Sequence, residues 1–151
     1  MWGELMIKPV TKEDVCIWSS FASQVWQKKE INLLEQFRAG AFPNEFLYYD
    51  GEKKAIAWVS LSLRSEYVEG CCSSPVAYLE GIWVRPDYRQ RGIAGQLLIF
   101  AEKWARTMGA SQLASDADID NVISQAFHIK NGFKEVSRTV HYVRNLVVDK
   151  E

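Results

Sequence analysis

Apolar and polar positions recur with two different periods along this chain, and each change of period marks an element. Leu5 to Val10 reads as a first strand. Thr11 stands as an N-cap with Asp14 three residues on, opening a helix whose apolar positions are Val15, Trp18, Ala22, Val25 and Trp26. A second helix runs from about Glu30 to Ala39 and stops at Gly40. Period two then sets in. Glu45 to Tyr49 and Lys54 to Leu63 read as strands joined through Asp50-Gly51, a hairpin signal. The second continues toward Arg64, Glu66 and Tyr67, and after a polar turn at 68–75 the chain returns as the dense apolar strand Val76 to Val84. From Gly95 to Met108, apolar Leu97, Leu98, Ala101, Trp104, Ala105 and Met108 recur at helical spacing, and Gly109 ends that helix. A short strand at Gln112 to Ser115, a helix at Asn121 to Asn131 and two closing strands, Lys134 to Ser137 and Val140 to Leu146, complete the order. No repeat, low-complexity tract or linker breaks it. The expectation is one mixed α/β domain over 1–151, with a mostly antiparallel central sheet flanked by helices.

Candidate chemistry gathers around the third of those meander strands. Arg89-Gln90-Arg91-Gly92-Ile93-Ala94 leads from it into the next helix. Unpaired N–H groups and the positive end of the helix dipole suit a phosphate there, Arg89 and Arg91 add charge, and Gly92 and Ala94 keep side chains clear. A strand, an Arg- and Gly-containing turn and a helix also occur together for structural reasons alone. Within the strand, Glu80 interrupts an apolar run, so it serves either a ligand or an ion pair with Arg64 or another strand cation. Asp116-Ala117-Asp118-Ile119-Asp120-Asn121 carries three carboxylates and no cation. Asp120 is explained as a helix cap; Asp116, at a strand end, sits where α/β folds place ligand groups. The spacing lacks the glycine and distal glutamate of a calcium loop, so no metal is expected.

Composition narrows the partners. With 151 residues, 48% hydrophobic and 25% charged, the chain can bury a core. Its net charge of −1 gives no global field to recruit nucleic acid or an anionic membrane. Apolar runs fall short of a membrane span and Met1 to Val10 lacks a signal-peptide layout, so a cytoplasmic protein is expected. Cys16, Cys71 and Cys72 form neither a disulfide framework nor a zinc pattern, and reduced bystanders are the expectation.

Arg89-x-x-Gly92-x-Ala94 after a strand resembles the acetyl-CoA loop of the GNAT superfamily of N-acetyltransferases. Asn121, His128 and Gly132-Phe133 resemble its second signature at the expected distance. Ser65 to Gly70, Ser74-Pro75-Val76, Tyr78-Leu79-Glu80-Gly81-Ile82 and Ala114-Ser115-Asp116 are similar to one branch, the aminoglycoside 6'-N-acetyltransferases. The resemblance implies the GNAT acyl-CoA fold, acetyl-CoA as cosubstrate, an aminoglycoside as acceptor and a homodimer. It implies that Ile82, Trp83 and Val84 offer backbone groups to the pantetheine arm, that Arg89, Gln90, Arg91, Gly92, Ile93 and Ala94 hold the pyrophosphate, and that Asn121 bonds the pantetheine. Trp26, Tyr67, Glu80 and Asp116 would surround the acceptor. A polycationic, hydroxyl-covered sugar calls for such carboxylates and flat rings. Glu80 or Asp116 would take the proton of the attacking amine.

Two positions depart from the family pattern. His128 stands where much of the superfamily has a tyrosine that protonates the departing thiolate, and it serves either as that acid or as a satisfied helix residue. Glu135, after Gly-Phe, is left out of the site. Two other functions compete: an acetyltransferase for polyamine or protein amines, and a noncatalytic acetyl-CoA sensor.

Overall fold

The computed structural model describes residues 6–149; Leu5, expected to open the first strand, lies outside them. Five strands form one sheet in the order β1 (Ile7–Pro9), β2 (Glu45–Tyr49), β3 (Ala55–Arg64), β4 (Val76–Val84) and β5 (Leu113–Ser115). All neighbours are antiparallel except β4 and β5. Among the described residues four α-helices surround the sheet: α1 (Val15–Trp26), α2 (Glu30–Arg38), α3 (Ile93–Thr107) and α4 (Val122–Lys130).

Alternation along the central strands divides the core. Leu47 and Trp58 join Val15, Trp18, Phe21 and Leu33 of α1 and α2. Tyr48, Val59 and Leu61 join Ile93, Leu97, Leu98 and Ala101 of α3, with Phe127 and Phe133 packed against them. Each face of β3 is therefore covered, and Ala55 to Leu61 is buried throughout. Trp18 and Trp58 are wholly buried; trimming either ring to alanine should cost about 3–5 kcal/mol.

Local details differ from expectation in two places. Thr11 Oγ1 donates to the Asp14 carboxylate at 2.8 Å instead of capping backbone, and the helix begins one turn later, at Val15. The β2–β3 hairpin is real, but its left-handed residue is Lys53 (φ 63°), not Gly51, because Asp50 Oδ1 gathers the N–H groups of Glu52 and Lys54 at 2.9 Å. Gly40 and Gly109 do end their helices with positive φ.

The largest difference is at the C-terminus. Residues 134–149 form no strand. Tyr142, Val143, Leu146 and Val147 are 88–93% exposed, while Arg138 pairs with Glu135 across one turn of chain. The segment has the composition of a strand, but a strand exists only through a partner, and no described edge of this chain supplies one.

Candidate active site

Strand β4 has two neighbours only briefly. β3 pairs with it along its whole length, whereas β5 meets only Ala77, Leu79 and the residue between them. Beyond Leu79 the side once held by β5 stands open, so Glu80 to Val84 present an unpaired backbone edge there. Register breaks at the same point: Leu61 faces Leu79 and Ser60 faces Gly81, leaving Glu80 as the extra residue of a bulge. Trp26 Nε1 secures the bulge by donating to the Glu80 carbonyl at 2.9 Å. Gly81 is required by packing, since a Cβ there would lie 2.5 Å from the Trp58 ring and 3.1 Å from Trp26 Nε1. Ile82, Trp83 and Val84 thus occupy an edge able to accept an extended ligand as a further strand.

A single 3-10 turn, Pro86–Tyr88, carries the chain from this edge to α3. Gln90 (φ 63°) and Gly92 (φ 79°) take left-handed conformations that fold Arg89 to Gly92 over the helix end. Gly92 is the N-cap and has no side chain to satisfy the first-turn N–H groups. Nothing projects from Gly92 or Gly95, and a Cβ at either would meet open space. A helix end uncapped by side chains and ringed by small residues fits a pyrophosphate. Arg89 is partly committed: its Nε donates to the Val84 carbonyl at 2.9 Å, and its guanidinium lies 5.9 Å from the Trp83 ring centre. Arg91 lies over Tyr88 at 5.1 Å.

The two carboxylates singled out in sequence are tied into one chain by Arg64, the ion-pair partner already considered for Glu80, and by Tyr78, which was not assigned to the site. Arg64 Nη2 donates to both oxygens of Glu80, at 2.8 and 3.0 Å, and Ser62 Oγ donates to Oε2 at 2.5 Å. The ion-pair reading of Glu80 is therefore correct, yet its side chain keeps 28% exposure and lines a cavity. The Arg64 guanidinium covers the Tyr78 ring at 3.4 Å, and the Tyr78 hydroxyl donates to Asp116 Oδ2 at 2.5 Å. Burial, reinforced by Asp116, raises the Tyr78 pKa well above its ordinary value, so this phenol stays a donor. Tyr78 and Glu80 stand two residues apart on β4, which is the sequence signal that links them.

His128 reaches the same opening from α4. Its Nδ1 lies 2.7 Å from the Ser124 carbonyl and its Nε2 2.8 Å from Ser115 Oγ. A carbonyl only accepts, so the neutral ring carries its proton on Nδ1 and accepts at Nε2. Ser115 Oγ also lies 3.2 Å from the Leu79 carbonyl, at the last rung before the strands part. Delivery of a proton from Nε2 would require the imidazolium. Asn121, rather than Asp120, caps α4, with Oδ1 accepting from Ser124 N at 3.0 Å. Tyr67 is 78% exposed on the β3–β4 loop, and its hydroxyl faces Glu69 at 3.4 Å. The structure does not bring it to Glu80 or Asp116.

A cavity of about 420 Å³ opens beside Glu80, lined among others by Trp26, Phe42, Glu45, Ser60 and Ser62. Trp26 and Phe42 stack at 5.2 Å to form an aromatic wall. Glu45, 4% exposed, was not anticipated from sequence. Its Oε1 accepts from Trp18 Nε1 at 2.8 Å and Trp58 Nε1 at 3.0 Å, and its Oε2 from Ser60 Oγ at 2.6 Å. Burial pushes Glu45 up to about 7 against those three donors, with nearby Glu80 adding to the rise. The available signal was the alternation Trp58, Ser60, Ser62 on an otherwise apolar strand. A wider hollow of about 550 Å³ between α1 and α2 is lined by Gln27, Lys28, Lys29, Asn32, Glu35 and Gln36 and lacks any such convergence.

Comparison with known proteins agrees with this geometry. The Acetyltransferase (GNAT) family matches residues 12–133. An aminoglycoside N(6')-acetyltransferase type 1 of Acinetobacter baumannii is 38% identical, with 93% of this chain and 98% of the relative covered. Its counterpart from Acinetobacter haemolyticus is 36% identical over the same shares. The crystal structure of an aminoglycoside 6'-N-acetyltransferase from Acinetobacter baumannii superposes with a TM-score of 0.84 at 36% identity, covering 93% of this chain and 97% of that one. The enzyme AAC(6')-Iy, solved with the bisubstrate analogue CoA-S-monomethyl-acetylneamine, superposes with a TM-score of 0.78 at 33% identity, covering 93% and 97%. Open strand edge, uncapped helix end and sequence likeness over most of the chain converge, and the protein belongs to the GNAT family of acetyltransferases.

Proposed function

We infer that this protein is an acetyl-CoA-dependent aminoglycoside 6'-N-acetyltransferase. The observation that carries the reading is the junction at Leu79. On one strand it joins an open backbone edge, which leads to the uncapped N-terminus of α3, to two carboxylates held at the mouth of that opening. Relatives named for this activity, covered almost end to end at 36–38% identity, support it.

In the reaction the acceptor nitrogen bonds the acetyl carbon, the carbon–sulfur bond breaks, the ammonium proton leaves and the thiolate is protonated. Acetyl-CoA supplies the activated acetyl group. Gly92, Ile93 and Ala94 offer N–H groups to its pyrophosphate, Arg89, Gln90 and Arg91 border it, Ile82 to Val84 align the pantetheine, and Asn121 meets the pantetheine through the amide nitrogen its cap leaves over. Tyr67 closes over a bound sugar from the β3–β4 loop, and the Trp26–Phe42 wall flanks one of its rings. Asp116 receives the amine's proton: among the described residues its carboxylate bonds the Tyr78 hydroxyl alone, whereas Glu80 is matched by Arg64 and positions the substrate. The thiolate takes its proton from His128, whose Nε2 has first taken one up from solvent, with the Ser115 hydroxyl beside it. Holding amine and thioester together accounts for most of the acceleration. The enzyme works in the cytoplasm, where acetyl-CoA is available.

The partner is a second copy. Residues 134–149 read as strand and expose Tyr142, Val143 and Val147 at 91–93%, and β5 is an end strand of the sheet. Exchange of this arm between two copies would bury those side chains and extend the sheet. Sedimentation should give twice 17.3 kDa, and Val143→Glu with Val147→Glu should give monomer; a monomeric parent would refute the exchange.

Thiol release from acetyl-CoA tests the activity, with kanamycin, spermidine and a lysine-rich peptide as acceptors. Turnover confined to kanamycin is expected. Turnover confined to spermidine or peptide would replace the acceptor, and binding of acetyl-CoA without turnover would make the protein a sensor.

A further inference from the structure

Four side chains on one face of the sheet form two matched pairs. Ser62 on β3 donates to Glu80 on β4, and Ser60 on β3 donates to Glu45 on β2. All four line the same cavity, with Trp26 and Phe42 as its aromatic wall. The pairs differ in charge. Glu80 has the Arg64 guanidinium on both of its oxygens. Among the described residues Glu45 has only neutral donors: two indole N–H groups and one hydroxyl.

Other charged groups nearby do not change this. Arg64 is spent on Glu80 and on the Tyr78 ring. Lys28 stands at the cavity rim, exposed, between α1 and α2. Tyr49, farther along β2, interacts with Asp14 just before α1. Glu80 is an anion and opposes ionisation of Glu45. A buried carboxylate lining a cavity without a cationic partner is a costly feature unless something else brings the charge.

We propose that Glu45 is the specificity-determining acid of the acceptor site, ionising when a protonated amino group of the substrate enters the cavity and matching that charge beside the Glu80–Arg64 pair. It is a recognition residue, distinct from the proton acceptor at Asp116, and it acts on an amine other than the one acetylated. The mechanism explains how a domain of net charge −1 selects a polycation. Its attraction is local and buried, and below about pH 7, where the free carboxyl keeps its proton, it arises only when the ligand supplies the counter-charge. Binding of the acceptor then releases a proton from Glu45, and affinity strengthens as pH rises through its ionisation, up to the point where the substrate amines lose their own protons.

This inference rests on the aminoglycoside reading, and the experiment separates the two. Kinetics of wild type and Glu45→Gln are compared with kanamycin and acetyl-CoA from pH 6 to 8. Glutamine keeps an oxygen for the indoles and removes only the charge. The expected result is a KM for kanamycin raised about tenfold or more at pH 7.5, kcat changed less than about threefold, KM for acetyl-CoA unchanged, and loss of the wild-type gain in kanamycin affinity with pH. An unchanged kanamycin KM and pH profile would overturn the proposal while leaving the activity standing. Equal loss toward both substrates would also overturn it, by making Glu45 structural. No turnover of kanamycin by wild type would overturn both readings. Should Glu45→Gln fail to fold, Ser60→Ala serves instead, since it loosens one carboxylate oxygen; a several-fold rise in kanamycin KM alone is expected, and none would count against the proposal.

Discussion

The two halves of β4 share a strand and differ in nearly everything else. Val76 to Leu79 is buried between β3 and β5, with exposures of 1–7% at Val76, Tyr78 and Leu79 and none at Ala77. Glu80 to Val84 keeps β3 but has lost β5, and its side chains include a carboxylate and a partly exposed indole. Function begins where pairing stops. A backbone edge freed on one side, inside a sheet still anchored on the other, is rigid and chemically unsatisfied together, which suits a cosubstrate that binds as an added strand. The bulge at Glu80 adds the second element by turning a carboxylate toward the opening.

Substitutions can separate the halves. Leu79→Ala should cost about 3 kcal/mol of stability, measured by denaturant unfolding, while kcat of the folded fraction stays near wild type. A large kcat loss with full stability would erase the distinction. Asp116→Asn should reverse the pattern: little change in stability, unchanged acetyl-CoA affinity and a kcat lower by at least about tenfold. Parallel loss of acetyl-CoA binding would remove Asp116 from the acceptor side.

A pH experiment sharpens the contrast on the neighbouring strand. Folded Glu45 keeps its proton up to about 7, whereas the unfolded residue loses it near 4.5. Between those values the folded state binds more protons, so this group makes stability fall as pH rises and adds no further change above the upper value. Glu45→Gln should remove a decline on the order of 1 kcal/mol between pH 5 and pH 8. Unfolding curves with the same pH dependence in both proteins would show that Glu45 ionises freely in the folded state. The smallest effect belongs to the cradle. Arg89→Ala should raise the acetyl-CoA KM by a few-fold, because in the proposed binding mode backbone N–H groups would carry most of the phosphate contact, and Arg89 also bonds the Val84 carbonyl.

Much of this was legible before any coordinates, and the reason is locality. The hairpin, the cradle and the stop at Gly109 are each set by residues within a few positions of one another. What lay hidden depends on register between distant strands. Glu45 meets Ser60 and Trp58 only because β2 and β3 align as they do, and although Arg64 was among the partners considered for Glu80, no local pattern announces the bulge across which they meet. Asp116 was singled out by its place at a strand end, but its tie to Glu80 through Tyr78 and Arg64 required the parallel β4–β5 pairing. The closing strands failed for the complementary reason. Val140 to Leu146 has strand composition, and composition cannot say whose edge it joins.

Transfer to the 6'-amine can be tested with a matched pair of acceptors. Thiol release is measured with two aminoglycosides that differ only in bearing an amine or a hydroxyl at the 6' position. Turnover with the amine, a singly acetylated product modified at that nitrogen, and no turnover with the hydroxyl compound are expected. Equal turnover of both, with the acetyl group on another nitrogen, would contradict transfer to the 6'-amine.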